Sequence, residues 1–115
     1  MCKGKIHRAT VTESNLNYTG SVRIDETLMN AANILPYELV HINNMSNAVH
    51  WETYAIPGTK GQISLHGCPA RLFQVGDEVV ILSFGLYQDR EPLHPRFVFV
   101  DKNNEIVEVK NDSIK

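Results

Sequence analysis

Apolar positions in this chain recur mostly at every second residue, in short runs separated by turn residues. That period marks strands rather than helices. "KIHRATVT" (5–12) alternates and is rich in β-branched residues, which predicts a strand, and "SVRI" (21–24) predicts another. "ELVHINN" and "HWETYAIP" flank "MSNAV" as the two arms of a hairpin, and "GQISLHG" reads as a short strand. "VGDEVVILSFG" starts at a Gly-Asp turn and is nearly all apolar, which predicts a central strand. "RFVFVD" and "EIVEV" bracket "KNNE" as a second hairpin. One segment breaks the alternation. In "DETLMNAANIL" (25–35), Leu28, Ala31, Ala32 and Leu35 fall on one helical face, behind Asp25 as an N-cap and ahead of Pro36 as the stop. "CPARLF" predicts a single helical turn. Many short strands with one helix predict a mainly β domain closed into a small barrel.

Composition narrows the function classes. At 115 residues, with 43% apolar residues and a formal charge of −2, the chain fits one soluble globular domain spanning 1–115. Its core margin is thin at this size, so association would help it. No basic block gives a footprint for nucleic acid, and no apolar run approaches the roughly 18 residues of a membrane span. "MCKGKIHRAT" lacks the apolar stretch of a secretory signal, so a cytoplasmic protein is expected, with Cys2 and Cys68 as free thiols.

The stretch "YTGS" (18–21) raises a chemical question. A serine hydroxyl can attack the carbonyl of its own preceding peptide bond, turning the amide into an ester. Glycine suits the position before it, having no Cβ in the way and tolerating a strained backbone. Elimination from that ester leaves dehydroalanine, which hydrolyses to a pyruvoyl group at a new N-terminus. Such a ketone forms a Schiff base with an amine and acts as an electron sink. The ordinary reading of Gly20–Ser21 is a turn into the next strand.

"GKIHR" (4–8), "YTGS" (18–21), "ETYAI" (52–56), "HGCPA" (66–70) and "VGDEVVI" (75–81) occur in this order, with the helical segment between them. Together they make the chain resemble the pyruvoyl-dependent aspartate 1-decarboxylases. The likeness of pattern runs from about Gly4 to Ser83. The resemblance implies a six-stranded double-psi β-barrel with one or two short helices, a homotetramer, and active sites between subunits. It implies a zymogen that cleaves itself at Gly20–Ser21 into a β chain (1–20) and a pyruvoyl α chain (21–115). Ser21 would become the pyruvoyl group, the covalent cofactor, and no metal is implied. Thr53 would assist the acyl shift, Tyr54 would reprotonate the substrate carbon, and Lys5 would stabilise a substrate carboxylate. His7 and Tyr18 would line the cleavage site and pocket. The product β-alanine would feed pantothenate and coenzyme A synthesis. Some members of the family need a helper protein to mature. Without the resemblance, Tyr54 is a strand tyrosine with a wet hydroxyl, Thr53 an ordinary β residue, and Lys5-x-His7 a solvated strand face.

Three positions depart from the family pattern. His50 stands where an arginine usually precedes the Thr-Tyr pair by three residues. An arginine grips a carboxylate with two parallel bonds and is always charged, and neutral histidine does neither. His66 replaces the usual asparagine before Gly67, and Cys68-Pro69 replace small alanines, Pro69 bringing no N–H. Residues expected in cleavage and proton transfer are kept, while those expected to hold substrate (His50, His66, Gly67, Cys68) include the changes. L-Aspartate to β-alanine is the first expectation, the same chemistry on another amino acid the second, and an unprocessed barrel that binds a ligand or partner the third. A metal on His50 and His66, with His7 or His41, finds no HxH or HxxxH spacing in its support.

Overall fold

Side chains alternating between core and surface build nine strands along residues 1–111, the part of the chain that the computed structural model describes. In chain order these are β1 (Cys2–Thr10), β2 (Glu13–Asn15), β3 (Ser21–Asp25), β4 (Leu39–Asn44), β5 (His50–Gly58), β6 (Ile63–His66), β7 (Glu78–Phe84), β8 (Arg96–Val100) and β9 (Ile106–Asn111). Helix α1 (Glu26–Ala31) follows β3, and a 3₁₀ turn (Cys68–Arg71) follows β6. Hydrogen bonding orders the strands β2-β6-β3-β5-β4-β7-β1-β8-β9. Three neighbouring pairs are parallel, β1 with β8, β2 with β6 and β3 with β5, and the others are antiparallel. This is the mainly β fold expected, in keeping with a double-psi β-barrel. The ladder counts nine strands rather than six because short segments such as β2 and β9 extend it at both ends.

Both expected hairpins form. β4 and β5 pair with Leu39 opposite Tyr54 and Asn43 opposite His50, and β8 pairs with β9. β7 lies between β4 and β1, the central position its apolar run predicts. It is not buried on both faces, however. Val79, Ile81 and Ser83 point into the core, whereas Val80 and Leu82 are only half-buried, because its antiparallel neighbours leave the outer face uncovered. The core is formed by Ile6, Val22, Ile24, Val40, Ile42, Ile63, Leu65, Phe73, Val79, Ile81 and Val98, closed at one side by Leu28 and Met29 of α1.

The helix begins as predicted and ends early. Asp25 accepts a hydrogen bond from the Thr27 N–H at 2.8 Å, a side-chain N-cap. The helix stops at Ala31 rather than at Pro36, because Asn33 turns into the left-handed region (φ 60°) and leaves Leu35 exposed. Strand β1 crosses the helix end at contact distance. A Cβ on Gly4 would lie 1.9 Å from the Ala32 carbonyl oxygen, so only glycine lets the two backbones meet. Among the described residues no helix is long and apolar enough to cross a membrane.

Candidate active site

Ser21 opens β3 and is 3% exposed. The antiparallel ladder with β6 sets it opposite His66, also buried, and the Tyr18 ring packs on the His66 ring with centroids 4.9 Å apart. The next residue, Gly67, has φ 82°, and its N–H donates to the Asn15 carbonyl at 2.9 Å. A Cβ here would come within 2.7 Å of the Gly20 Cα and 3.0 Å of the Gly20 nitrogen. Gly67 is therefore glycine for two reasons, its backbone region and the chain it touches, which is the residue before Ser21. Gly20 is under no such demand. A Cβ on it would meet nothing nearer than the His66 carbonyl at 3.8 Å. Tyr18, Gly20, Ser21, His66 and Gly67 thus form one cluster.

Cys68 is exposed and opens the 3₁₀ turn beside this cluster, with Pro69 in its first positions. The missing N–H of Pro69 costs little there, since a first-turn N–H has no partner within the turn. The loss of a donor expected at Pro69 therefore removes no bond of the local fold. His66 itself is oriented from β2. Its Nε2 lies 3.2 Å from Glu13 Oε1, and this hydrogen bond, ahead of the other contributions, holds the Glu13 carboxyl below its ordinary value.

The remaining expected residues lie on other strands. β3 runs parallel to β5 with Val22 opposite Ala55, which brings Thr53 and Tyr54 to the end of the ladder where Ser21 begins. Ala55 is buried, so the alternation turns Thr53 to the inner side and Tyr54 outward, where the Tyr37 ring stacks on it at 6.1 Å. Lys5 and His7 flank the buried Ile6 on β1 and share its outer face. The register continues that face across the sheet: Lys5 opposite Leu82, Leu82 opposite His41, His41 opposite Glu52. His7 packs edge-on against Phe99 at 5.4 Å, and its Nδ1 is buried without a hydrogen-bond partner among the described residues. Burial, then the positive charges of Lys5 and Arg8, holds its imidazole below the ordinary value, and Glu78 opposes them.

No hydrogen bond, ion pair or ring contact among the described residues joins the Ser21 cluster to Lys5, His7 or His50. A cavity of about 430 Å³ lies beside Asp25, Gly58, Lys60 and Asn104, at the far end of β3 from Ser21. His50 does not stand free on the surface: its Nδ1 meets Asn43 Oδ1 at 2.7 Å and its Nε2 meets Glu52 Oε2 at 3.2 Å, with His41 Nδ1 at 3.4 Å. Sequence reading missed Glu13, Tyr37 and Glu52 as partners of site residues. Only Glu52, two residues from His50 on a strand, had a local signal.

Comparison with known proteins gives one result throughout. The family model described as aspartate decarboxylase matches residues 1–107. An aspartate 1-decarboxylase of Carboxydothermus hydrogenoformans is 52% identical over 99% of this chain and 93% of its own length. One from Pelotomaculum thermopropionicum is 53% identical over 96% of this chain and 86% of its own, and one from Desulfitobacterium hafniense is 48% identical over 99% and 93%.

Proposed function

Since the chain belongs to the aspartate decarboxylase family, we propose that it cleaves itself between Gly20 and Ser21 and decarboxylates L-aspartate to β-alanine and CO2. The observation that supports the maturation step is the packing of Gly67 against Gly20, with buried Ser21 at the end of the β3–β5 ladder to which Thr53 and Tyr54 lead. That contact fixes the peptide bond to be broken against a rigid strand end, as intramolecular attack requires.

The chemistry runs on this chain's own atoms. Ser21 Oγ attacks the Gly20 carbonyl carbon. The C–O bond forms, the C–N bond breaks, and the Ser21 nitrogen leaves as an amine. Thr53 hydrogen-bonds to the intermediate. Removal of the Ser21 α-proton then expels the Gly20 carboxylate, and water replaces the nitrogen, releasing ammonia. The products are chains 1–20 and 21–115. The pyruvoyl ketone left at position 21 supplies capture of the substrate amine and a sink for the electrons that CO2 leaves behind. The residues present fit that group, because Ser21 is buried and bordered by small backbone at Gly20 and Gly67. Tyr54 returns a proton to the substrate carbon, and Lys5 faces a substrate carboxylate. His7 and Tyr18 line the pocket, and His66, Gly67 and Cys68 border it on the Ser21 side.

A pocket completed by another copy of the chain accounts for the two separated groups. Lys5 and His7 of one subunit would close over Ser21 of the next in a homotetramer. The exposed apolar side chains Tyr37, Leu39 and Phe84, near the outer face that carries Tyr54 and His41, suit such a contact. The enzyme would work in the cytoplasm, supplying β-alanine for coenzyme A synthesis.

The test is the intact mass of purified protein after prolonged incubation, alone and with cell extract as a source of any helper. Two chains split before residue 21 are expected, the larger carrying a ketone in place of the serine amine. Ser21→Ala should give one uncut, inactive chain. Wild-type protein uncut in both incubations, or cut elsewhere, overturns the reading.

A further inference from the structure

The β4–β5 register gathers three metal-ligand atoms, two of them on residues that the decarboxylase reading does not use, His41 and Glu52, and one on His50. His41 is opposite Glu52, Asn43 is opposite His50, and His50 and Glu52 lie two apart on the same face. His41 Nδ1, His50 Nε2 and Glu52 Oε2 therefore converge: 3.4 Å between the two nitrogens, and 3.2 and 3.8 Å from them to the carboxylate oxygen. The amide oxygen of Asn43 can only accept, so its 2.7 Å contact places a proton of His50 on Nδ1, and in the neutral ring this tautomer turns the Nε2 lone pair toward the other two atoms. His41 is held from behind by the edge of the Phe84 ring at 4.9 Å. Three potential metal-ligand atoms thus lie within 3.8 Å of one another.

We infer that His41, His50 and Glu52 bind a divalent transition-metal cation of the zinc class, whose open coordination position takes a carboxylate of the substrate. Zinc bound at 2.0–2.1 Å in a tetrahedron spaces its donors about 3.3 Å apart, whereas octahedral donors at that bond length lie about 2.9 Å apart. Two of the separations, 3.2 and 3.4 Å, match the tetrahedral spacing, and the third, 3.8 Å, would close by about 0.5 Å on binding. Two histidines and a glutamate leave one position open in the manner of catalytic zinc sites, and the bond that His50 Nδ1–H donates to Asn43 favours the tautomer that ligation needs. Half-exposed His50 and Glu52 leave that position accessible. The cation also answers a chemical need. The family pattern implies an arginine where His50 stands, and a bound metal would supply a fixed positive charge there. This anchoring role rests on the decarboxylase reading, and the cation site itself does not.

The test uses full-length protein titrated with Zn²⁺ against a chromophoric chelator, and with Co²⁺ followed by its visible absorption. One cation per chain is expected, bound by a tetrahedral chromophore. His41→Ala, His50→Gln and Glu52→Gln should each abolish binding, with folding checked by circular dichroism, and Asn43→Ala should weaken it about 10–100-fold. Succinate, a dicarboxylate with no amine to react, should shift the Co²⁺ spectrum. Absence of stoichiometric binding, or binding unchanged in His41→Ala and Glu52→Gln, overturns the site. A spectrum indifferent to succinate overturns the anchoring role. Ser21→Ala should still bind the cation, so failure to mature and failure to bind metal are read separately.

Discussion

Replacing Gly67 by alanine should injure self-cleavage more than it injures the fold. The residue sits at φ 82° and ψ −146°, a region that side chains avoid at a cost of about 1–3 kcal/mol. Its new Cβ would also stand 2.7 Å from Gly20 Cα, where ordinary contact begins near 3.4 Å, so one backbone must yield by about 0.7 Å. The Gly20 side is where yielding matters, because the bond that Ser21 attacks is the next one along. A misplacement approaching 1 Å costs an intramolecular reaction on the order of 100-fold. Gly67→Ala should therefore mature about 10–100-fold more slowly, read as the fraction of chain 21–115 over time by mass spectrometry. Gly20→Ala is the matched control. Its Cβ has room, with 3.8 Å to the nearest atom, so it should fold with an unchanged melting temperature, and any slowing of cleavage in it reports the chemistry of the scissile bond. Gly67→Ala maturing within threefold of wild type would refute the view that this contact positions the bond.

Three further outcomes are expected. Tyr54→Phe should mature normally yet lose about 10²–10⁴-fold in turnover, the usual contribution of a positioned general acid, and near wild-type kcat in matured protein would remove Tyr54 from the mechanism. Asn104→Ala should lower the melting temperature by more than about 10 °C: this buried side chain accepts from Thr10 N–H and donates to the Thr10 and Gly61 carbonyls, three bonds at about 1 kcal/mol each, and alanine fits its φ of 61° poorly at about 1 kcal/mol more. A drop under about 3 °C would show that those bonds are replaced by water. Asp77 is held below its ordinary value of 3.8 by the Gln74 N–H and then the Asn44 amide. A depressed folded value means its stabilisation is whole above the unfolded value and is lost as pH falls through the folded one, so Asp77→Asn should flatten the melting temperature against pH below about 4. An unchanged acid limb would mean that other carboxyls set it.

Most strands were legible because each shows its face in sequence. Val40 and Ile42 alternate with His41 and Asn43, and the apolar run Phe97 to Val100 is marked as a strand by its β-branched and aromatic residues. The three residues of β2 were not legible, since "ESN" carries no apolar alternation and becomes a strand only through its parallel pairing with β6. The helix end misled for a similar reason. Leu35 continues the helical period, and nothing local announces that Asn33 will reverse the chain. For the site, residues with chemistry in their own motif were found, whereas those defined by register were not. His41 faces Glu52 because a hairpin loop sets which residues of β4 and β5 are opposite, and a shift of one residue would have turned them to opposite faces.

The two unusual histidines share a feature that their positions in sequence conceal: each has a glutamate within hydrogen-bond reach. His66 has Glu13 at 3.2 Å, and His50 has Glu52 at 3.2 Å. The two pairs differ in surroundings. His66 is buried with only its carboxylate partner half-exposed, so its ring is fixed as part of the Ser21 wall. His50 and Glu52 are both half-exposed on the outer face, with His41 completing a third side. Restoring arginine at position 50 alone would thus not restore a free grip on substrate. The guanidinium would meet the Glu52 carboxylate first, and a planar fork occupied by a protein carboxylate has little left for a second one. The departure at His50 is one element of a three-residue arrangement, and its chemistry belongs to His41 and Glu52 as much as to the histidine that replaced the arginine.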